Sequence, residues 1–154
     1  YVDSSQLISS GASQGGALAL VAAALNPKIS LTVAIYPFLS DFKRVLELGD
    51  NSEPYNELFR YFKFADPFHR TEQQFLTNLS YIDVKNFAHR IKGKVKMITG
   101  LQDVVCPPST QFAIYNRLET DKEIHLLPEY GHESLNVSVN DLVFNWLTGS
   151  TIEI

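Results

Sequence analysis

Gly11-Ala12-Ser13-Gln14-Gly15-Gly16 is the stretch on which the reading of this chain turns. Just before it, Gln6-Leu7-Ile8-Ser9-Ser10 is a short β-like run. Just after it, Gln14 to Leu25 is an alanine-rich, helix-forming segment that Asn26-Pro27 brings to a stop. The pattern Gly-x-Ser-x-Gly between a strand and a helix describes a tight turn that lifts a serine hydroxyl clear of a sheet. A serine directly before a helix is also an ordinary N-cap. The turn alone leaves both roles open for Ser13, and the residues downstream decide between them.

Three further β-like runs follow: Leu31 to Tyr36, Val95 to Thr99 and Glu123 to Leu127. They alternate with helical patterns, which predicts an α/β architecture with a parallel sheet. Leu31-Thr32-Val33-Ala34-Ile35-Tyr36 is nearly continuous in apolar character and suits a strand covered on both faces. Pro107-Pro108 opens a helix running to about Leu118, and a last helix carries Leu142, Val143, Trp146 and Leu147 on one face. The middle of the chain, about residues 38–92, reads as a helical insertion or lid between two strands of one sheet. Within it, Val45, Leu46 and Leu48 mark one helix, and Pro54 opens another carrying Leu58, Phe59 and Phe62. Thr71-Glu72-Gln73-Gln74 reads as a capping box, and Asp83 as the cap of a helix bearing Val84, Phe87 and Ile91. No linker brackets the insertion, so residues 1–154 are read as a single, partial α/β domain of about four mostly parallel strands.

At 154 residues the chain is long enough to bury a core, and 45% hydrophobic residues with a mean hydropathy of -0.06 describe an ordinary globular composition. A formal charge of -4 without a basic cluster argues against nucleic acid as a partner. The densest basic stretch, His89 to Lys96, reads as a solvated helix end running into a strand. The longest apolar run, Ala17 to Leu25, falls short of the roughly 20 residues that span a bilayer, so no membrane partner is expected. Cys106 is the only cysteine, which rules out an intrachain disulfide and favours a reducing, cytoplasmic setting. The matches to an N-glycosylation pattern at Asn78 and Asn136 are read as chance.

Acyl transfer by a serine needs a nucleophile, a base to take its proton and an acid to orient the base. In α/β-hydrolases these occur in the chain order Ser, Asp/Glu, His, each after a strand. Ser13 follows the first predicted strand, Asp103 the third and His132 the fourth. These three are the candidate catalytic residues, and the backbone N–H of Gln14 is the candidate oxyanion donor. Asp66 and Asp83 are weaker rivals for the acid, because neither follows a predicted strand. His69, His89 and His125 read as surface or packing residues, and none has metal-ligand spacing to another. Cys106 has no histidine beside it in sequence and reads as a small buried apolar group. Phe38, Phe59, Phe62, Phe64 and Tyr130 are candidates to line an acyl pocket, with core or lid packing as the commoner use.

Five segments carry a family resemblance: Gly11 to Gly16, Tyr36-Pro37-Phe38-Leu39, Leu79-Ser80-Tyr81-Ile82-Asp83, Asp103-Val104-Val105-Cys106-Pro107-Pro108-Ser109-Thr110 and Gly131-His132-Glu133. In these the chain resembles the acetyl xylan esterases and cephalosporin-C deacetylases of carbohydrate esterase family 7. By position, the resemblance implies Ser13 as nucleophile, Asp103 as acid and His132 as base. It implies no metal and no cofactor, acetylated sugars or cephalosporin-type esters as substrates, and a homo-oligomer, a hexamer. Ala12 stands where glycine is frequent in the family. Much of the sheet precedes the serine turn in this fold, whereas here the turn arrives after ten residues in a chain that starts at Tyr1. The expectation is therefore the C-terminal half of an α/β-hydrolase sheet, with the second oxyanion donor and an N-terminal half missing. Two other readings stand beside the deacetylase: a catalytically incompetent packing or assembly module, and a peptidase or longer-chain esterase of the same superfamily.

Overall fold

A computed structural model describes residues 6–49 and 53–149. Four strands form one sheet in the order β1 (Leu7–Ala12), β2 (Ile29–Ile35), β3 (Lys94–Gly100) and β4 (Lys122–Leu127). All three pairings are parallel, with Gly11 opposite Ala34, Ala34 opposite Met97, and Met97 opposite Ile124. The α/β fold with four parallel strands agrees with the sequence reading. The first strand runs two residues further than expected, because Gly11 and Ala12 still pair with β2 before the serine turn begins.

Helix α1 (Gln14–Leu25) buries Ala17, Ala19, Leu20, Ala23 and Ala24. Small side chains let the helix axis come close to the strands. Its buried Ala17, Leu20, Ala23 and Ala24 share a core with Ala34 and Met97 of the sheet and with Ile114 and Leu118 around helix α5 (Pro108–Arg117). The other face is closed by helix α6 (Val137–Thr148), whose Val139, Val143 and Trp146 pack on Tyr36, Ile98 and Leu127. Central strands covered on both sides explain the apolar run of β2, where Thr32, Val33 and Ala34 are fully buried. The edge strand β1 alternates between half-buried and exposed residues.

Between β2 and β3 the chain forms helices α2 (Phe42–Leu48), α3 (Asn56–Arg60) and α4 (Glu72–Ser80), a single π turn over Tyr61–Ala65, and short 3-10 turns. Two expectations for this region need correction. The predicted capping box at Thr71 does not form. Its hydroxyl donates to Asp66 Oδ2 at 2.7 Å, and the Thr71 N–H donates to the same carboxylate oxygen at 2.7 Å. Asp66 thus organises the turn before α4 from outside the helix, and these bonds, the Thr71 N–H first, lower its pKa. The second correction concerns residues 83–91, which form two 3-10 turns, Val84–Asn86 and Ala88–Arg90, in place of one helix. Val84, Ala88 and Ile91 reach the core from these tight turns, so the apolar spacing was read correctly and the helix type was not.

Candidate active site

The site is assembled at the C-terminal ends of β1, β3 and β4, where parallel strands deliver their following loops to one edge. Ser13 lies between β1 and α1 with φ 53° and ψ −121°, a conformation that few non-glycine residues adopt. The turn is held by its own backbone. Ser13 N–H donates to Ile35 O at 2.8 Å, and Ser13 O accepts from Ala17 N–H and Phe38 N–H, both at 3.1 Å. Its side chain makes no helix-capping hydrogen bond. Gly11 is what allows the turn: a Cβ there would lie 2.4 Å from the carbonyl of Gly15.

The hydroxyl freed in this way meets His132 Nε2 at 3.0 Å. On the other side of the ring, His132 Nδ1 lies 2.9 Å from Asp103 Oδ2. The structure therefore brings Ser13, His132 and Asp103 into one hydrogen-bonded line. The Asp103 side chain is fully buried and that of His132 is 21% exposed, so the line runs from the interior to the surface. Asp103 Oδ1 accepts the N–H groups of Val105 and Cys106 at 2.9 and 2.7 Å, which pins the carboxylate.

The loops that carry Asp103 and His132 are laced together. Leu101 N–H donates to Leu127 O, and Gln102 N–H donates to Tyr130 O. Gly100 permits this approach, since a Cβ on it would fall 2.5 Å from the carbonyl oxygens of Tyr130 and Gly131. Glu133 closes the histidine turn by accepting the Gly131 N–H at 2.7 Å. Beside Ser13 and His132 lies a cleft of about 350 Å³ whose walls include Tyr36, Glu133 and Leu135. The Gln14 N–H, in the first turn of α1 directly after Ser13, belongs to the backbone groups that a helix leaves without an internal acceptor.

The rivals are placed elsewhere. Asp66 is spent on Thr71 and Arg70, and Asp83 accepts from Asp41 N–H and Lys85 N–H. His69, His89 and His125 are exposed, His69 lying flat on Phe62 with ring centroids 4.6 Å apart. None of the five aromatic residues proposed for an acyl pocket lines the cleft beside Ser13. Phe38 packs on Tyr55, Phe62 sits in an aromatic cluster with Tyr61 and Phe75, and Phe64 is 72% exposed.

Two residues at the site, Tyr36 and Gln111, escaped the sequence reading, and Cys106 lies beside it as the small, fully buried group expected. Its thiol, Asp103 and His132 offer ligand atoms within 4.8 Å of one another, the one such group among the described residues. Burial first, and then the charge of Asp103, push the thiol up to about 12. Asp103 already accepts hydrogen bonds on both of its oxygens. Tyr36 stacks obliquely against the His132 ring at 5.6 Å and is 3% exposed. Its hydroxyl has no hydrogen-bond partner among the described residues, and burial, with the charge of Glu133 next, raises it to about 12. Gln111 is fully buried in the first turn of α5 and hydrogen-bonds to Asp103. Its spacing to Ile114 and Leu118 places it on the inward stripe of that helix, and a polar residue on such a stripe was the available signal.

The chain is similar to known proteins along nearly all of its length. The acetyl xylan esterase family (AXE1) matches residues 1–150. Acetyl esterase Axe7A of Xylanibacter ruminicola is 34% identical over 134 residues, which are 84% of this chain and 28% of that protein. The crystal structure of acetyl xylan esterase 1 from Thermoanaerobacterium sp. JW/SL YS485 superposes with a TM-score of 0.91 at 47% identity, covering 95% of this chain and 46% of that one. Acetyl xylan esterase from Paenibacillus sp. R4 gives a TM-score of 0.91 at 42% identity, covering 97% of this chain and 47% of that one. The chain thus spans about half the length, or less, of these relatives. With its α/β-hydrolase sheet and a match along nearly all of its length, this chain belongs to the acetyl xylan esterase family.

Proposed function

We propose that the protein is a serine esterase that removes acetyl groups from small acetylated sugars or cephalosporin-type esters. The observation that carries the reading is the line Ser13 Oγ, His132 Nε2, His132 Nδ1, Asp103 Oδ2, closed at 3.0 and 2.9 Å, in a chain of this family. His132 takes the Ser13 proton as the oxygen attacks the acetyl carbonyl, and Asp103 holds the ring in the tautomer that can do so. The Gln14 N–H receives the developing oxyanion. His132 then returns the proton to the leaving alcohol. Water, activated by the same ring, releases acetate from the acetyl-Ser13 intermediate.

The reading includes no cofactor and no metal. Homo-oligomerisation, in the form of a hexamer, is proposed on the family resemblance. A cytoplasmic setting is proposed on the single buried cysteine. None of the described helices is long and apolar enough to cross a membrane. The test is Ser13→Ala in the intact protein, assayed on a chromogenic acetate. Turnover should fall by a factor on the order of 10⁶, the loss seen when such a nucleophile is removed, and undiminished turnover would refute the assignment. Rates on acetate, butyrate and longer acyl esters then read the acyl site. A preference for the longer chains would move the protein out of the deacetylases.

A further inference from the structure

Gln111 is fully buried, and both ends of its amide are engaged. Its Nε2 donates to Cys106 O at 2.6 Å and to Asp103 Oδ2 at 3.3 Å, while its Oε1 accepts from Thr99 Oγ1 at 2.9 Å. The orientation of the amide follows from its partners. A carbonyl and a carboxylate can only accept, so the nitrogen must face them, and the hydroxyl of Thr99 supplies the donor for the oxygen. Thr99 is itself fully buried near the end of β3. The chain Thr99, Gln111, Asp103, His132, Ser13 therefore continues the hydrogen-bonded line inward by two residues.

We propose that Gln111 is a positioning residue, which holds the Asp103 carboxylate so that Oδ2 faces the His132 ring. The proposal rests on the serine-esterase reading. Asp103 Oδ1 is already fixed by two backbone N–H groups, and Oδ2 is the oxygen that His132 uses. A second donor on Oδ2 sets its direction and supports the charge of a fully buried carboxylate. Only an amide fills this place. It donates to one side and accepts from the other, and it does neither by titrating. A carboxylate of the same shape would set two acids against each other, and as pH rises a growing share of the molecules would hold two negative charges in one buried place.

The test is Gln111→Glu in the intact protein, with kcat and KM followed from pH 6 to pH 9 and rates referred to folded protein by its circular-dichroism melt. The expected result is a kcat lowered about tenfold to a hundredfold near neutrality, the worth of a hydrogen bond to a charged group, with KM little changed. The ratio of variant to parent kcat should fall further as pH rises, a trend that a merely structural defect would not produce. A ratio that stays constant across the range, or a kcat equal to the parent's, overturns the proposal. Should Gln111→Glu not fold, Thr99→Val removes the donor that orients the amide while keeping shape. Its kcat should drop severalfold at constant KM, and an unchanged kcat overturns the proposal equally. Ser13→Ala run alongside separates the two ideas: turnover surviving there removes the esterase reading itself, whereas an inactive Ser13→Ala beside a parent-like Gln111→Glu removes only the role of Gln111.

Discussion

Ser13 holds a backbone conformation that costs of order 1–3 kcal/mol for a residue with a side chain, and three backbone hydrogen bonds keep it there. The strain points the hydroxyl away from the capping position and toward His132. Cys106, whose thiol lies within 4.8 Å of the ligand atoms of Asp103 and His132, shows how the same environment can disarm a second nucleophile. Its thiol is raised from 9.0 to about 12, chiefly by burial, so at pH 8 only about 10⁻⁴ of it is thiolate. Iodoacetamide should therefore modify Cys106 at pH 8 roughly 10³-fold more slowly in the native protein than in guanidinium, judged by thiolate fraction alone. Mass spectrometry of the quenched mixture reads this directly, and equal rates would show the thiol to be exposed or ionised. The sign for stability follows. The folded-state value lies above the unfolded one, so the contribution of the buried thiol is complete below pH 9 and is lost as pH climbs toward about 12.

At the level of elements, the site depends on how closely α1 approaches β1. Gly11 and Gly16 are the points of closest passage: a Cβ on Gly11 would meet the Gly15 carbonyl at 2.4 Å, and one on Gly16 would meet Gly11 O at 3.1 Å. Gly11→Ala should therefore destabilise the protein by about 1–3 kcal/mol, as overpacking against rigid backbone does, and should displace Ser13 as well. The expected outcome is a lower midpoint in urea together with a loss of turnover larger than the loss of folded protein. Gly15→Ala is the comparison, because open space surrounds that position and only modest change is expected. The Asp103 and His132 loops show the same dependence on close backbone approach, through Gly100 and the hydrogen bonds that join the two loops.

Across the whole molecule, stability is concentrated in the middle of the sheet. Val33 and Ala34 of β2 and Val95, Met97 and Ile98 of β3 are fully buried, whereas β1 lies at the edge of the described sheet with Ile8 42% exposed. Amide hydrogen exchange should follow this gradient, with β2 and β3 exchanging through global unfolding and the outer amides of β1 exchanging earlier. Uniform protection across all four strands would contradict it. The positions of the four strands, the helix after Ser13 and the helix opened by Pro108 were legible in the residues, because each rests on local periodicity and on local stops such as Asn26-Pro27. So was the pairing of Ser13, Asp103 and His132 in one site, since parallel strands send their following loops to one edge. The turns at 84–90 were legible only as apolar spacing, because whether a short segment winds as α or 3-10 is settled by what it packs against. The hydroxyl of Thr71 was misread for a related reason: Asp66, five residues away, competes for it. Gln111, Tyr36 and the approach of Cys106 to His132 could be decided only by the tertiary structure. Their roles come from partners brought together by burial across β3, α5 and the loop after β4, and spacing along the chain carries no record of which buried polar atoms will meet.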